Sequence, residues 1–152
     1  MIGPNGRPCP EWFAKPQLGI FIHWGMFTIP AWAPRGRAIH ELHGDDYYMS
    51  AVMTPYSEWY DNAVRVEGSE TRKRHLELYG DKPYQDFFPE FDAQSQKFDA
   101  NEWADFFVEC GATHCVFVTK HHDGLCLWPT DVENPHRPGW HTERDFVGEL
   151  AD

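Results

Sequence analysis

Positive charge is what this 152-residue sequence has least of: 13 Lys and Arg stand against 24 Asp and Glu, a formal net charge of −11. Nucleic acids and anionic membranes are recognised through a basic footprint, so neither is expected as a partner, and a neutral or cationic ligand fits better. Long apolar runs are also missing. No stretch approaches the roughly 18 apolar residues of a spanning helix. Met1–Pro10 has no basic n-region and no apolar h-region, so with Met1 as the true start a cytoplasmic protein is expected. No N-x-Ser/Thr sequon occurs.

Other absences narrow the chemistry. Cys9, Cys110, Cys115 and Cys126 form no C-x-x-C pair and no zinc-ribbon spacing. Cys110 and Cys115 fall inside apolar patterns and are expected to act as small hydrophobes with reduced thiols. There is no G-x-S-x-G nucleophile elbow and no glycine-rich phosphate cradle, so neither a serine triad nor nucleotide binding has support. Neither an internal repeat nor a low-complexity tract is present.

What the sequence does have is aromatic surface, 16% of residues, including 7 Trp, within 41% hydrophobic content. Trp and Tyr fill cores, and they also pack on the C–H faces of sugars while offering a polar handle. Composition alone favours the core.

The order of elements is more informative. Met1–Pro16 is irregular. Leu18–Trp24 is a continuous apolar run ending in His23, as in strands covered on both faces of a parallel sheet. Gly25–Lys97, with prolines at 30, 34, 55, 83 and 89, reads mostly as loop. Within it a short helix is expected over Glu70–Tyr79, capped by Ser69 and stopped by Gly80. Connections this long are usually functional, and this one is taken as part of a binding face. Asp99 and Glu102 form a capping-box pattern ahead of a helix. Its apolar face is Trp103, Phe106, Phe107 and Cys110, and Gly111 is its left-handed stop. Cys115–Thr119 is a second buried strand, and Phe146, Val147 and Leu150 begin another helix. This βαβα order predicts an α/β fold with right-handed crossovers in a parallel sheet. A (β/α)8 barrel takes about 250 residues, so this chain would hold about two of its units. Such a piece would leave a sheet edge and a half-built core open.

Both strands run into histidine: His23 after the first, His121 and His122 after the second. In parallel α/β folds the C-terminal strand ends form the active-site face, so these histidines are expected to converge on one mouth. In an ideal strand His121 and His122 would point to opposite faces, one bracing the other. A metal site built from His23, His121, His122 and Asp123 is a rival reading, although contiguous His-His-Asp is not a familiar ligand spacing. Glu58-Trp59-Tyr60 offers a carboxylate beside two rings, which suits a sugar, but a surface turn with buried aromatics is the plainer reading. Asp45, Asp46, Asp92 and Asp99 are expected to be solvated or capping.

Several blocks together resemble the α-L-fucosidases of glycoside hydrolase family 29. They begin with Pro10-Glu11-Trp12-Phe13 and Leu18-Gly19-Ile20-Phe21-Ile22-His23-Trp24-Gly25. Ile29-Pro30-Ala31-Trp32, Ser57-Glu58-Trp59-Tyr60, Phe87–Phe91, Phe98-Asp99-Ala100, Trp103 and Gly111-Ala112 follow. Thr119-Lys120-His121-His122-Asp123-Gly124 and Arg144-Asp145, ahead of Val147-Gly148-Glu149-Leu150, complete the series in the family's order. Leu125 departs from it, where an aromatic is more usual.

The resemblance implies the N-terminal part of a single (β/α)8 catalytic domain over residues 1–152, with no cofactor and no metal. It implies a fucosylated oligosaccharide or glycoconjugate as substrate, and His23, Glu58, Trp59, His121 and His122 as the residues that hold fucose. Family members hydrolyse by retaining double displacement, with an aspartate nucleophile and a carboxylic acid/base. No residue here matches either, so both are expected beyond Asp152 and the chain alone is expected to be inactive. A non-catalytic fucose-binding module and a metal-dependent hydrolase are the alternatives.

Overall fold

The computed structural model describes residues 6–35 and 54–152. Asp45 and Asp46 lie outside the described residues. The first strand, β1 (Gly19–Ile22), pairs in parallel with β2 (His114–Phe117), in a register that sets Gly19 against His114 and Ile22 against Phe117. Pairing runs one step further at each end, through Thr113 N–H to Leu18 O (2.9 Å) and Val118 N–H to Ile22 O (3.0 Å). Between the strands lie α1 (Tyr60–Arg65), α2 (Glu70–Tyr79), α3 (Phe88–Ser95) and α4 (Ala100–Glu109), and α5 (Phe146–Ala151) follows β2. Short 3-10 turns occupy Met26–Thr28, Ser57–Trp59 and Tyr84–Phe87.

The excursion between the strands is therefore largely helical from Ser57 onward; α2 is the helix expected over Glu70–Tyr79, while loop was expected over Ser57–Arg65 and Tyr84–Ser95. Its prolines do not break the helices because of where they sit. Pro83 is the N-cap of the Tyr84–Phe87 turn and Pro89 lies in the first turn of α3. Neither position needs the missing N–H.

Local signals set the other boundaries as expected. Ser69 Oγ accepts from Arg72 N–H (3.0 Å) and donates to Ala63 O (2.6 Å), so one hydroxyl starts α2 and ties it to α1. Asp99 Oδ1 accepts from the N–H groups of Asn101 (2.9 Å) and Glu102 (3.1 Å) to start α4. Gly111, at φ +77°, ends it with its N–H on Val108 O (2.9 Å). Asp145 caps α5 by accepting from Gly148 N–H (2.8 Å).

Trp24, the residue after His23, organises the interior. Its ring lies 5.1 Å from Phe146, 5.3 Å from Phe91, 5.4 Å from Phe98, 5.7 Å from Trp103 and 6.3 Å from Phe117. One indole thus joins α5, α3, the entry to α4, α4 itself and β2. Arg144 reinforces the same junction. It donates to the carbonyls of Ser95, Gln96 and Phe98 behind α3, and holds Glu149 of α5 through two bonds (2.8 and 2.6 Å). The Glu149 carboxylate in turn holds the guanidinium pKa above its ordinary value.

The strands themselves are not covered on both faces. Phe21 is 64% exposed and Val116 50%, and Cys115 is exposed with them. On α4, Trp103 packs inward while Phe106 stays 60% exposed and Cys110 faces outward. The predicted buried strands and the buried α4 face are thus corrected for this chain: among the described residues the sheet has two strands, and these positions stay largely open to solvent. Cys110 and Cys115 are accordingly surface thiols, not core hydrophobes, while Cys126 is buried. Among the described residues no helix is long and apolar enough to cross a membrane.

Trp24 is partly buried, so replacing it with Ala is expected to cost about 3 kcal/mol, the lower end of the range for deleting a large core aromatic, with Phe recovering part of it. Urea unfolding measures this; a loss below about 1 kcal/mol, the level of an ordinary substitution, would move the hub elsewhere.

Candidate functional site

The histidines do converge. His23 leaves β1 with its ring 5.2 Å from that of His121, and His121 lies 4.6 Å from His122. Trp59 closes the row at 4.6 Å from His122, and Phe27 packs on His121 at 5.8 Å. Glu58 joins through its main chain, its carbonyl oxygen accepting from His121 Nδ1 at 3.1 Å. All five residues singled out from the sequence, His23, Glu58, Trp59, His121 and His122, thus lie in one neighbourhood beyond the C-terminal ends of both strands.

His121 and His122 escape the alternation of a strand because β2 ends at Phe117. They sit in a tight turn closed by Gly124 N–H on His121 O (3.0 Å), which keeps both rings on the same mouth. Gly124 itself has φ +75°, which disfavours any residue with a Cβ, and an added Cβ would meet Asn134 Nδ2 at 3.2 Å.

The electrostatics follow from this geometry. A carbonyl can only accept, so the bond to Glu58 O places the proton of neutral His121 on Nδ1 and leaves Nε2 as an acceptor. Burial lowers the His121 pKa from 6.5, and the neighbouring His122 and His23 lower it further; the Glu58 and Asp123 carboxylates oppose them. His121 is held neutral at physiological pH. The mouth therefore offers an imidazole acceptor, two exposed imidazoles, a half-buried carboxylate and an indole. That set can exchange hydrogen bonds with several hydroxyls while a ring covers an apolar face.

Asp123 has another task. Its carboxylate, 6% exposed, accepts from Tyr84 Oη (2.9 Å) and Leu125 N–H (3.1 Å). Burial raises its pKa, and burial followed by the Asp123 charge raises that of Tyr84, so the phenol remains the donor. With Asp123 turned to these partners, the His-His-Asp metal reading loses its carboxylate. Among the described residues, no three His, Cys, Asp or Glu side chains are grouped to hold a metal. Leu125, the departure from the family pattern, is 2% exposed in the core.

Four residues of this neighbourhood were not legible as such: Asp61, Tyr84, Arg137 and Trp140. Arg137 Nη1 and Trp140 Nε1 both donate to Asp123 O (2.9 Å each), and Arg137 Nη2 pairs with Asp61 Oδ2 at 3.0 Å. Asp61 stands three residues after Glu58, the only local hint. Arg137 lies in an irregular segment without periodicity.

A family comparison decides the assignment: the family described as Alpha-L-fucosidase matches residues 4–152. The chain belongs to the α-L-fucosidase family. It is 35% identical over 152 residues to the tissue alpha-L-fucosidase of Macaca fascicularis, covering 97% of this chain and 27% of that protein. It is also 35% identical to the alpha-L-fucosidase of Dictyostelium discoideum, with 97% of this chain and 28% of that protein covered. Among solved structures, a Thermotoga maritima alpha-fucosidase in complex with fucose superposes with a TM-score of 0.74 at 37% identity. That match covers 93% of this chain and 30% of the other. The chain thus spans under a third of the length of these relatives.

The neutral state of His121 gives a pH dependence. Its lowered native pKa means the unfolded chain binds the extra proton first, so its contribution to stability is present above about pH 6.5 and lost as pH falls below it. Urea midpoints at pH 7.5 and 5.5 are expected to fall more for the wild type than for His121→Asn; equal slopes would remove His121 as the source.

Proposed function

We propose that this chain supplies the fucose-holding part of a retaining α-L-fucosidase. The convergence of His23, His121 and His122 with Glu58 and Trp59 beyond the two strand ends carries the reading. His121 Nε2 accepts from a sugar hydroxyl, the Glu58 carboxylate accepts from another, and the Trp59 indole covers a C–H face of the ring. The mouth suits a neutral ligand: His121 is uncharged at physiological pH, and a net charge of −11 repels polyanions. One of the similar solved structures is a fucosidase bound to fucose, and the ligand class is carried over from it.

The two parallel strands are read as the opening β/α units of a (β/α)8 barrel. The exposed faces of Phe21, Val116 and Phe106 are what further strands and helices of such a barrel would cover. In a retaining glycosidase one carboxylate attacks the anomeric carbon while a second protonates the leaving oxygen. Among the described residues at this mouth, Asp123 is committed to Tyr84 and Leu125, and Glu58 belongs to the sugar-holding set. Following the family resemblance, the nucleophile and the acid/base are read as lying in sequence beyond Asp152. The aglycone, a fucosylated glycan, would be gripped by that same sequence.

An aryl α-L-fucoside tests the reading. The full-length protein is expected to hydrolyse it, and the 152-residue chain is expected not to exceed buffer. Turnover by the short chain would overturn the placement of the carboxylates; no turnover by the full-length protein would overturn the enzyme reading. In the full-length protein, His121→Ala is expected to weaken L-fucose binding by about 1–3 kcal/mol, roughly 5–150-fold, the cost of an unpaired buried hydroxyl. Calorimetry reads this directly, and unchanged affinity would remove His121 from the pocket.

A further inference from the structure

The sugar-holding residues come from two turns that are 63 residues apart in sequence between Glu58 and His121. One carries Glu58 and Trp59, the other His121 and His122. At the front they touch through His121 Nδ1 on Glu58 O and through the Trp59–His122 ring contact. Behind them Tyr84 packs on Tyr60 (6.0 Å) and donates to the Asp123 carboxylate, and Arg137 binds both sides through charged or backbone groups.

Arg137 is 17% exposed and lies outside both turns. Its Nη1 donates to the carbonyl of Asp123, the residue directly after His122 (2.9 Å). Its Nη2 pairs with the carboxylate of Asp61, in the first turn of α1 and two residues after Trp59 (3.0 Å). The guanidinium plane therefore spans from the backbone of one turn to the helix that continues the other. Trp140 holds it in this orientation: its Nε1 donates to the same Asp123 carbonyl (2.9 Å), and its ring lies 5.3 Å from the guanidinium carbon. Asp61 is 5% exposed and also binds Arg65 one turn along α1, through bonds of 2.8 to 3.2 Å. The two arginines differ in one respect: Arg65 stays within α1, and only Arg137 reaches the histidine turn.

We propose that Arg137 is a positioning residue for the sugar site, setting the distance between the Glu58–Trp59 turn and the His121–His122 turn through Asp61 and the Asp123 carbonyl. The proposal rests on the fucose-site reading above. A lysine at this position keeps one charge opposite Asp61 but has no second planar donor pair to hold the carbonyl as well. Losing the brace lets the two turns drift, and displacements of an ångström in a preorganised site cost large factors.

The test compares Arg137→Met, Arg137→Lys and the control Arg65→Met in the full-length protein. L-Fucose affinity is measured well below each variant's thermal midpoint, and the His121 and His122 ring signals are followed by NMR. Both Arg137 variants are expected to bind L-fucose about tenfold more weakly or worse, with shifted ring signals for both histidines. Arg65→Met is expected to keep wild-type affinity and ring signals even where it lowers the midpoint. Arg137→Lys keeps a cation beside Asp61 and is the readout should the Met variant not fold. Wild-type affinity in a folded Arg137 variant overturns the proposal, as does an equal loss in Arg65→Met, which would mean stability alone is being read. If the wild type itself binds no L-fucose, the fucose-site reading falls and this proposal with it.

Discussion

The packing of one indole decides how this chain can fold. Trp24 follows the last pairing residues of β1, and five aromatic rings from four later segments lie against it. A contact of this kind couples distant parts of the sequence: the indole is covered only with α3, α4, β2 and α5 around the end of β1. It also fixes the neighbouring residue. Because Trp24 is anchored inward, His23 is turned outward, towards the mouth where His121 waits. Core and site are consecutive residues of one strand end.

The site is built in the same economical way from turns, not from strands. The β-turn at His121–Gly124 lifts two imidazoles onto one side, and the 3-10 turn at Ser57–Trp59 brings a carboxylate and an indole to meet them. Such turns are short and hold little structure of their own. Their precision comes from behind, where Asp61, Tyr84, Asp123, Arg137 and Trp140 form a hydrogen-bonded layer. A buried polar layer of this kind is stabilising only when every member is satisfied. Here each carboxylate has two partners or more, and no buried side-chain polar atom among the described residues lacks one.

How far the sequence revealed all this depends on how local each signal was. Helix starts at Ser69 and Asp99 and stops at Gly80 and Gly111 were legible because capping acts over three or four residues. The strand pair and the histidines at its ends were legible because parallel strands share one functional edge. The Tyr84–Phe87 turn and α3 were missed because Pro83 and Pro89 look like breakers unless their place at a helix start is known. The alternation of His121 and His122 failed because β2 stops early and a turn takes over. Asp61, Arg137 and Trp140 carry no local pattern at all; their meaning is a matter of which distant turn they meet. Asp123 sat in the right motif, but its partners Tyr84 and Leu125 show that it braces the turn instead of serving as a ligand.

The exposed side chains of the sheet and of α4 shape how such a chain behaves in water. Phe21, Val116 and Phe106 present apolar surface beside a strand edge that has no partner among the described residues. That combination favours edge-to-edge association between copies. The net charge of −11 opposes it, as long as the charges can act over the distance between approaching molecules. At low ionic strength they do; near physiological salt the field fades within about 8 Å. Colloidal stability in this chain is thus set by the ionic medium, with salt deciding whether the acidic surface or the sticky edge prevails.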